Sequence, residues 1–226
     1  MTIFKDRVEA GQKLAQRIIQ YLYPVSNIPT DKDRDKDKDK DIIIYALPRG
    51  GVVLGAEIAQ TLGAELDLVI VRKIGHPYEP EYAIGVIAED GDLILNPVEF
   101  KNLDKKWLED AKKREQEEAK RRREKYLGKK PKIDAAGKIA IIVDDGVATG
   151  LSMELAVKEI KHKKPKEIII AVPVIPKDTA IKLEKEVDKL ITLSVEEDYA
   201  GAVSAYYKYF PQVEDEEVIE IMNRYR

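Results

Sequence analysis

Short runs of consecutive apolar residues alternate along most of the chain with stretches in which apolar residues recur every three or four positions. The runs are rich in β-branched residues, which is typical of strands covered on both faces. The stretches between them have the spacing of amphipathic helices. The pattern predicts strands at residues 42–47, 66–71, 139–143, 168–174 and 190–193, with helices over 52–62, 153–160 and 180–187 between them.

Strands that alternate with helices in this way predict an α/β fold with a doubly wound, mainly parallel sheet and right-handed crossovers. Ligands of such sheets bind in the loops that follow the carboxyl ends of the strands. We therefore expect the functional residues in those loops, within a single domain that spans residues 1–226.

Other segments depart from the alternation. Residues 5–22 have the spacing of an amphipathic helix that precedes the first predicted strand. Residues 82–95 predict two short strands joined at 89–92, because the Asp-Gly pair there is typical of a hairpin turn. Residues 99–127 predict a long charged helix with few apolar anchors. We interpret 82–130 as a hairpin-plus-helix elaboration of the sheet.

Charged residues dominate two parts of the chain. Residues 31–41 alternate strictly between acidic and basic side chains, so no face of this segment can be buried, and we interpret 30–41 as a flexible, solvated insertion. The helix predicted at 99–127 has more Lys and Arg than acidic residues, which would also suit RNA or an acidic partner. Ion pairs between residues four apart on a solvated face explain it more simply.

Composition narrows the functional classes. The 226 residues carry a net charge of −3, which does not suggest a nucleic-acid partner. The chain has no cysteine, which excludes disulfides, thiolate nucleophiles and Cys-based zinc sites. Its two histidines, His76 and His162, share no metal-ligand spacing. No apolar run has the length of a membrane span and the start lacks a signal-peptide core, so we expect a cytoplasmic protein without membrane contact.

The loop after the predicted strand 139–143 carries the clearest chemistry. Asp144 and Asp145 follow the strand, the segment 146–150 is bounded by glycines, and a helix pattern begins directly afterwards. A helix N-terminus after a glycine-bounded turn binds anions, because free backbone N–H groups and the positive end of the helix dipole converge there. Two adjacent carboxylates suit a diol beside that anion. The order predicts a sugar phosphate as ligand.

Three other interpretations explain less of this segment. The strand and its acids resemble an ATPase Walker B motif, but the chain has no G-x-x-x-x-G-K-[ST] to accompany it. A dinucleotide site would need G-x-G-x-x-G, which neither 50–55 nor 146–150 supplies. A hairpin at the Asp-Gly pair would need strand periodicity after it, whereas helical periodicity follows.

The segment 143–150, VDDGVATG, resembles the motif with which type I phosphoribosyltransferases bind 5-phosphoribosyl-1-pyrophosphate (PRPP). The wider chain resembles a predicted branch of that family in the segments ALPRGG (46–51), VRKIG (71–75) and YKYFPQVEDEEV (207–218), and from its FKDR start at 4–7 onward. The resemblance implies the Rossmann-like fold of type I phosphoribosyltransferases. It also implies transfer of a 5-phosphoribosyl group from PRPP to an acceptor, with release of pyrophosphate.

The resemblance also implies roles for residues. Asp144 and Asp145 would hold the ribose hydroxyls, and through these or through water the Mg²⁺ that such transferases use. The cradle of the 5-phosphate would consist of Gly146, Val147, Ala148, Thr149 and Gly150. Pyrophosphate would be bound by Arg49, Gly50 and Gly51, with Arg72 and Lys73 completing the clamp.

The sequence does not identify the acceptor of the phosphoribosyl group. The family recognises acceptors partly through the loop after the last core strand, where Tyr199 could stack on a base, although ordinary packing explains that side chain equally well. No motif identifies a particular nucleobase or related nitrogen heterocycle. The same residues would also suit a PRPP- or nucleotide-sensing module without transfer activity, and the resemblance leaves room for a homodimer.

A lid is predicted at residues 73–82, directly after the predicted strand 66–71. Gly75 offers a hinge, and Pro77 and Pro80 disfavour helix and strand. We expect this loop to lack regular structure and to close over PRPP, with Arg72 and Lys73 at its root.

Overall fold

A computed structural model describes residues 3–24, 41–96, 98–99 and 103–225 of the chain. The charged insertion predicted at 30–41 lies outside the described residues except for Asp41. In chain order the elements are α1 (Arg7–Leu22), β1 (Ile42–Ala46), α2 (Gly50–Leu62), β2 (Glu65–Leu68), β3 (Val71–Gly75), β4 (Ala83–Ala88), β5 (Leu93–Leu95), α3 (Lys105–Leu127), β6 (Ile139–Val143), α4 (Leu151–His162), β7 (Glu167–Pro176), α5 (Lys177–Leu183), β8 (Lys189–Glu196) and α6 (Asp215–Asn223).

Five strands form a parallel sheet in the order β2-β1-β6-β7-β8. Successive side chains of a strand point to opposite faces, and here both faces are buried. On one face Ile44 packs in a cluster with Leu54 of α2 and with α1, and on the other face Tyr45 packs in a cluster with Ile160 of α4 and with α5. The doubly wound, mainly parallel sheet predicted from the apolar runs is confirmed.

The prediction of a single strand at 66–71 is wrong, because this segment contains the end of β2 and the start of β3. β2 pairs with β1 up to Leu68, and the chain then leaves the parallel sheet and begins β3 at Val71 in a second sheet. Leu68, Val69 and Ile70 are all buried. The apolar run therefore continues across the break, and its pattern does not mark where one strand ends.

The second sheet is antiparallel and has the order β3-β4-β5. Its β4–β5 hairpin confirms the hairpin predicted at 82–95. Helix α3 packs on this sheet through Trp107 and Ala111. It begins at Lys105 rather than at 99, because the Asp104 side chain caps it by accepting a hydrogen bond from the Trp107 amide at 2.8 Å. None of the described helices is both long and apolar enough to cross a bilayer.

A buried arginine of α3 fixes the point where the chain leaves the parallel sheet. Arg123 donates from Nη1 to the Leu68 carbonyl at 2.9 Å and from Nη2 to the two Asp67 carboxylate oxygens at 3.0 and 3.2 Å. Both charged side chains are buried. Since a buried charge is tolerated only with a partner, this pair ties α3 to the end of β2.

Glu159 of α4 is a buried acid without such a partner. It is 3% exposed, and its Oε2 has no hydrogen-bond partner among the described residues. Burial raises the pKa of Glu159 to about 7, and the nearby carboxylates of Glu89 and Asp90 add to the rise, while Lys132 and Lys163 oppose it. The folded protein thus holds Glu159 protonated over a pH range in which the unfolded chain ionises it.

We predict that Glu159→Gln stabilises the protein at alkaline pH. A folded-state pKa above the unfolded one costs no stability below about pH 4.5, reduces stability as the pH rises, and reaches its full cost above about pH 7. Urea unfolding should give the variant an advantage of about 2–3 kcal/mol at pH 8 that falls below about 1 kcal/mol at pH 5. The exposed Glu184→Gln should show no such trend, and an equal effect of Glu159→Gln at both pH values would contradict the assignment.

Candidate functional site

The loops after β1 and β6 meet at the carboxyl edge of the parallel sheet. The Leu47 amide donates to the Val143 carbonyl at 2.9 Å, which joins the two loops at their roots. A Cβ atom on Gly51 would lie 2.8 Å from the Val143 carbonyl oxygen and 3.0 Å from Cα of Asp144, so the close approach of the two loops requires glycine at this position. The structure therefore brings together the two segments, 47–51 and 144–150, that the sequence predicts to act together.

The first cavity at this edge, here called the loop cavity, has a volume of about 220 Å³. Its wall is the segment 146–150 and the first turn of α4, with Asp144, Lys73 and Val203 completing it. Within the described chain, the amides of Ala148, Thr149 and Gly150 donate to no other group. Unpaired amides at a helix N-terminus form an anion site.

Gly150 allows the loop to turn into α4. Its φ is +83°, a left-handed conformation that L side chains rarely adopt, and a Cβ atom there would lie 2.7 Å from Cγ2 of Thr179. Thr179 Oγ1 also donates to the Ala148 carbonyl at 3.1 Å. The loop is thereby held in one shape without using its outward amides.

The second cavity, here called the basic cavity, has a volume of about 250 Å³ and adjoins the first. Lys73, Asp144 and Ser152 line both cavities. Leu47 and Pro48 line the basic cavity on the β1 side, and Arg72 and Arg122 add positive charge. The peptide bond between Pro48 and Arg49 is cis. Arg122 belongs to α3, and its contribution to the basic cavity could not be predicted from the sequence, because it depends on where α3 packs.

The two aspartates occupy different surroundings. Asp144 lines both cavities, and its Oδ1 accepts a hydrogen bond from the Asp145 amide at 2.8 Å. Burial raises the pKa of Asp144 well above its usual range, and the Asp145 carboxylate adds to the rise. Asp145 lines neither cavity and pairs instead with Arg7, whose Nε lies 2.8 Å from Oδ2. Burial raises the pKa of Asp145, and the Arg7 guanidinium opposes this.

Arg7 joins the two ends of the chain to the site. It is 8% exposed, donates from Nη1 to the Pro211 carbonyl at 2.6 Å, and lies 3.6 Å from the centre of the Phe210 ring. Tyr207 donates from its hydroxyl to the Asp145 carbonyl at 2.6 Å. The segments FKDR and YKYF, which the resemblance singles out, therefore meet around Asp145, although their roles could not be assigned from the sequence.

Arg49 is turned toward α6. Its Nη1 lies 3.5 Å from Oε2 of Glu214 and 3.6 Å from Oδ1 of Asp215, and it does not line the basic cavity. Asp215 also accepts from Lys125 at 2.7 Å and from the Tyr126 hydroxyl at 2.6 Å. Arg49, which the sequence predicts to bind pyrophosphate, is thus held beside the cavity by two acids that lie about 165 positions away in the chain.

Arg72 and Lys73 differ in the partners that they have. Arg72 donates from Nε and Nη2 to Oε2 of Glu115 at 3.2 and 3.0 Å. Lys73 is exposed, and no described carboxylate pairs with it. It lines the loop cavity and the basic cavity, which makes it the unpaired cation of the site.

The predicted lid differs from the expected unstructured loop. Residues 73–75 belong to β3 and pair with β4. The remaining loop is braced by hydrogen bonds from the His76 amide to the Tyr82 carbonyl at 2.8 Å and from the Tyr82 amide to the Glu79 carbonyl at 2.9 Å. The prolines exclude a helix as expected, but these local bonds give the loop a defined shape. Residues 76–82 line neither the loop cavity nor the basic cavity.

Tyr199 lies outside both cavities. Its ring stacks on Tyr206 with 5.4 Å between the ring centres, and its hydroxyl is buried without a hydrogen-bond partner in the described chain. Burial raises the pKa of Tyr199 to about 12. This placement gives the ring a packing role, and its predicted contact with an acceptor stays a prediction.

His162 lies beside two acids that are distant from it in sequence. Its Nδ1 is 3.3 Å from Oδ2 of Asp92, and Asp90 completes a group of three side chains with metal-ligand atoms. Lys158 also pairs with Asp92, at 3.1 Å. This group lies at the β4–β5 turn, and none of its members lines the loop cavity or the basic cavity.

Comparisons with known proteins bear on the family and the fold of this chain. Residues 6–209 match the family profile of the phosphoribosyl transferase domain. Proteins of two Mycobacterium tuberculosis strains that carry the provisional name phosphoribosyl transferase are 33% identical over 226 residues, which is 99% of this chain and 47% of theirs. The chain thus spans about half the length of these curated relatives. The crystal structure of TT1426 from Thermus thermophilus is similar at 36% identity and a TM-score of 0.77, with 99% of both chains covered.

We predict that Arg7→Met strongly destabilises the fold. Removing one partner of a buried ion pair leaves the other charge uncompensated, at a cost of about 3–5 kcal/mol. Urea unfolding at pH 7.5 should show this loss, while Arg17→Met, the same change at an exposed position of α1, should stay within about 0.5 kcal/mol of the parent. Equal stability of the two variants would show that Asp145 does not depend on Arg7.

Proposed function

Because the chain belongs to the phosphoribosyl transferase domain family, we propose that it transfers the 5-phosphoribosyl group of PRPP to a small acceptor and releases pyrophosphate. The observation that carries this proposal is the pair of adjoining cavities that share Asp144 and Lys73. One has unpaired amides at a helix N-terminus, and the other has three cationic side chains. PRPP has a phosphate at one end, a diol-bearing ribose in the middle and a pyrophosphate at the other end.

The proposed position of PRPP follows from this order. Its 5-phosphate would occupy the loop cavity and accept from the amides of 148–150 and from the Thr149 hydroxyl. Its ribose hydroxyls would donate to Asp144, and its pyrophosphate would enter the basic cavity beside Lys73, Arg72 and Arg122. The amides of Gly50 and Gly51 would approach the pyrophosphate from the β1 side. Asp145 would orient Asp144 and the loop through its pairing with Arg7.

The residues present fit a magnesium ion bound together with PRPP. Asp144 presents a carboxylate to both cavities, and Mg²⁺ prefers one or two carboxylates with phosphate oxygens and water as the other ligands. Asp144, directly or through the ribose hydroxyls, would hold the ion, and when bound the ion neutralises charge on the leaving pyrophosphate.

Transfer requires no covalent intermediate with the protein. The bond from C1 of the ribose to the pyrophosphate oxygen breaks as the acceptor nitrogen forms its bond to C1, and positive charge develops on the ribose. Lys73, Arg72 and Arg122 would stabilise the departing pyrophosphate. The ionised Asp144 carboxylate would stabilise the ribose cation. The positive charge that develops on the ribose would in turn favour the ionised form of this carboxyl group, whose pKa burial has raised. Arg49 would leave Glu214 and Asp215 for the pyrophosphate at little cost, because both ion pairs are long and partly exposed.

The acceptor class in this proposal is a nucleobase or a related nitrogen heterocycle. A panel of such bases, with Mg²⁺ and PRPP, should identify it through pyrophosphate release. PRPP binding without release for any base would favour the sensing module over the transferase. No detectable PRPP binding would refute both.

We predict that Asp144→Asn weakens PRPP binding by at least about tenfold. The amide cannot accept the same charge-assisted bonds from ribose hydroxyls or hold Mg²⁺ as a carboxylate does. Calorimetry with Mg²⁺ and PRPP measures the loss, and circular dichroism verifies that the variant is folded. Asp178→Asn, at an exposed position of α5, serves as the matched control. Parent-like affinity in folded Asp144→Asn would remove Asp144 from the site.

We further predict that the loop 76–82 closes over bound PRPP as a unit hinged at β3 and β4. Its internal hydrogen bonds preserve its shape, and closure would exclude water that otherwise captures the ribose cation. Hydrogen exchange of residues 76–82 should slow when Mg²⁺ and PRPP are added, whereas exchange in β8 should not change. The idea fails if residues 76–82 exchange equally in both states and Lys73→Ala transfers as fast as the parent.

A further inference from the structure

A third cavity lies beside the proposed PRPP site, and the proposed transfer does not use it. It has a volume of about 410 Å³ and lies between the loop 76–82 and α3; it is here called the helix cavity. The residues that line it include Arg72, Lys73, His76, Trp107 and Arg114. Volumes of this size hold small organic ligands rather than single ions.

The walls of the helix cavity combine aromatic and cationic groups. Trp107 is half-buried, packs against the cluster of Ile74, Ile84 and Ala111, and also lines the cavity. His76 and two prolines of the loop line the same cavity. A flat ring could therefore lie between the loop and α3.

The cationic wall is organised by one carboxylate. Glu115 accepts from Arg72 at 3.0 and 3.2 Å on Oε2 and from Arg114 at 3.2 Å on Oε1. With Lys73 this places three cations against the acids Glu115 and Glu81. A carboxylate that holds two guanidinium groups together leaves their other N–H groups for an anion, and such forks favour phosphate.

In the proposed arrangement of PRPP, the helix cavity is not the place of the acceptor. It shares Arg72 and Lys73 with the basic cavity, but it contains neither Asp144 nor any residue of 146–150. A ligand there would lie beyond the pyrophosphate and away from the ribose carbon that reacts. The ligand would instead compete with pyrophosphate for two cations and contact the loop that we expect to close.

We propose that the helix cavity binds a nucleoside phosphate, with its base between Trp107 and His76 and its phosphate on Arg114, Arg72 and Lys73. The existence of this site does not rest on the proposed transferase function, but its competition with pyrophosphate does. A bound nucleotide would reduce the occupancy of the PRPP site and hold the loop 76–82 on α3. The site would thus connect nucleotide concentration with the use of PRPP.

The test uses the full chain without PRPP or acceptor. Trp107 is the single tryptophan of the 226 residues, so its fluorescence reports the helix cavity directly. Titration with GMP should quench this emission saturably, and ribose 5-phosphate, which lacks the base, should not. Failure of GMP, AMP, UMP and CMP alike to change the emission at millimolar concentration would overturn the proposal.

Two arginines of α3 provide a matched pair of variants. Arg114 and Arg121 are 63% and 61% exposed, each pairs with a neighbouring glutamate, and Arg121 lies one heptad further along the helix, outside the cavity. Arg114→Met should weaken GMP binding on the order of tenfold, as expected for one charge-assisted phosphate contact, while Arg121→Met should change it less than about twofold. Equal affinities of the two variants would overturn the proposal.

A third variant distinguishes GMP binding in the helix cavity from GMP binding in the loop cavity, where a nucleotide product of the transfer would lie. Thr149→Val should leave GMP quenching unchanged, and a large loss there would show that GMP occupies the loop cavity instead and would overturn the assignment. Saturating Mg²⁺ and pyrophosphate should weaken GMP binding several-fold, because Arg72 and Lys73 are shared. Loss of this competition with the Arg114 effect intact would count against the pyrophosphate site of the proposed function and leave the nucleotide site standing.

Discussion

Two carboxylates on consecutive residues at the end of a buried strand repel each other, and the structure of the site depends on how that repulsion is met. Arg7 neutralises Asp145 from one side, so that Asp144 alone faces the cavities. Without the guanidinium, burial would favour protonation of both acids, as the raised pKa values of Asp144 and Asp145 already indicate. A protonated pair could not serve a diol and a divalent cation. The ion pair therefore favours the ionised form of both acids, because the Arg7 guanidinium opposes the rise in pKa that burial causes at Asp145 and at Asp144.

Keeping Arg7 in place requires both ends of the described chain. Phe4 forms a parallel β-bridge with Tyr207, and the amide of Phe4 donates to the Tyr206 carbonyl at 2.8 Å. These contacts hold the start of α1 against the segment that carries Phe210, whose ring covers the guanidinium of Arg7. The geometry at the end of β6 thus depends on contacts between residues about 200 positions apart.

The parts of this fold that follow from local patterns could be predicted, and the parts that follow from long-range pairing could not. Apolar runs covered on both faces predicted the parallel sheet, and glycines before a helix pattern predicted the loop 146–150. The break after Leu68 was missed because it depends on Arg123, which is 55 residues away. The pairing of Arg49 with Glu214 and Asp215, and of Asp145 with Arg7, likewise joins residues that no periodicity connects.

The two sheets contribute different parts of the site, and Lys73 is the contribution of the antiparallel sheet to all three cavities. The parallel sheet supplies the rigid loops that end at Gly51 and Gly150, whereas Lys73 extends from β3 of the antiparallel sheet and lines all three cavities. Among the described residues it has no carboxylate partner, so its charge is available to whichever cavity holds an anion. A cation shared in this way makes the occupancy of one cavity depend on the others, because a single ammonium group cannot serve two phosphates at full strength.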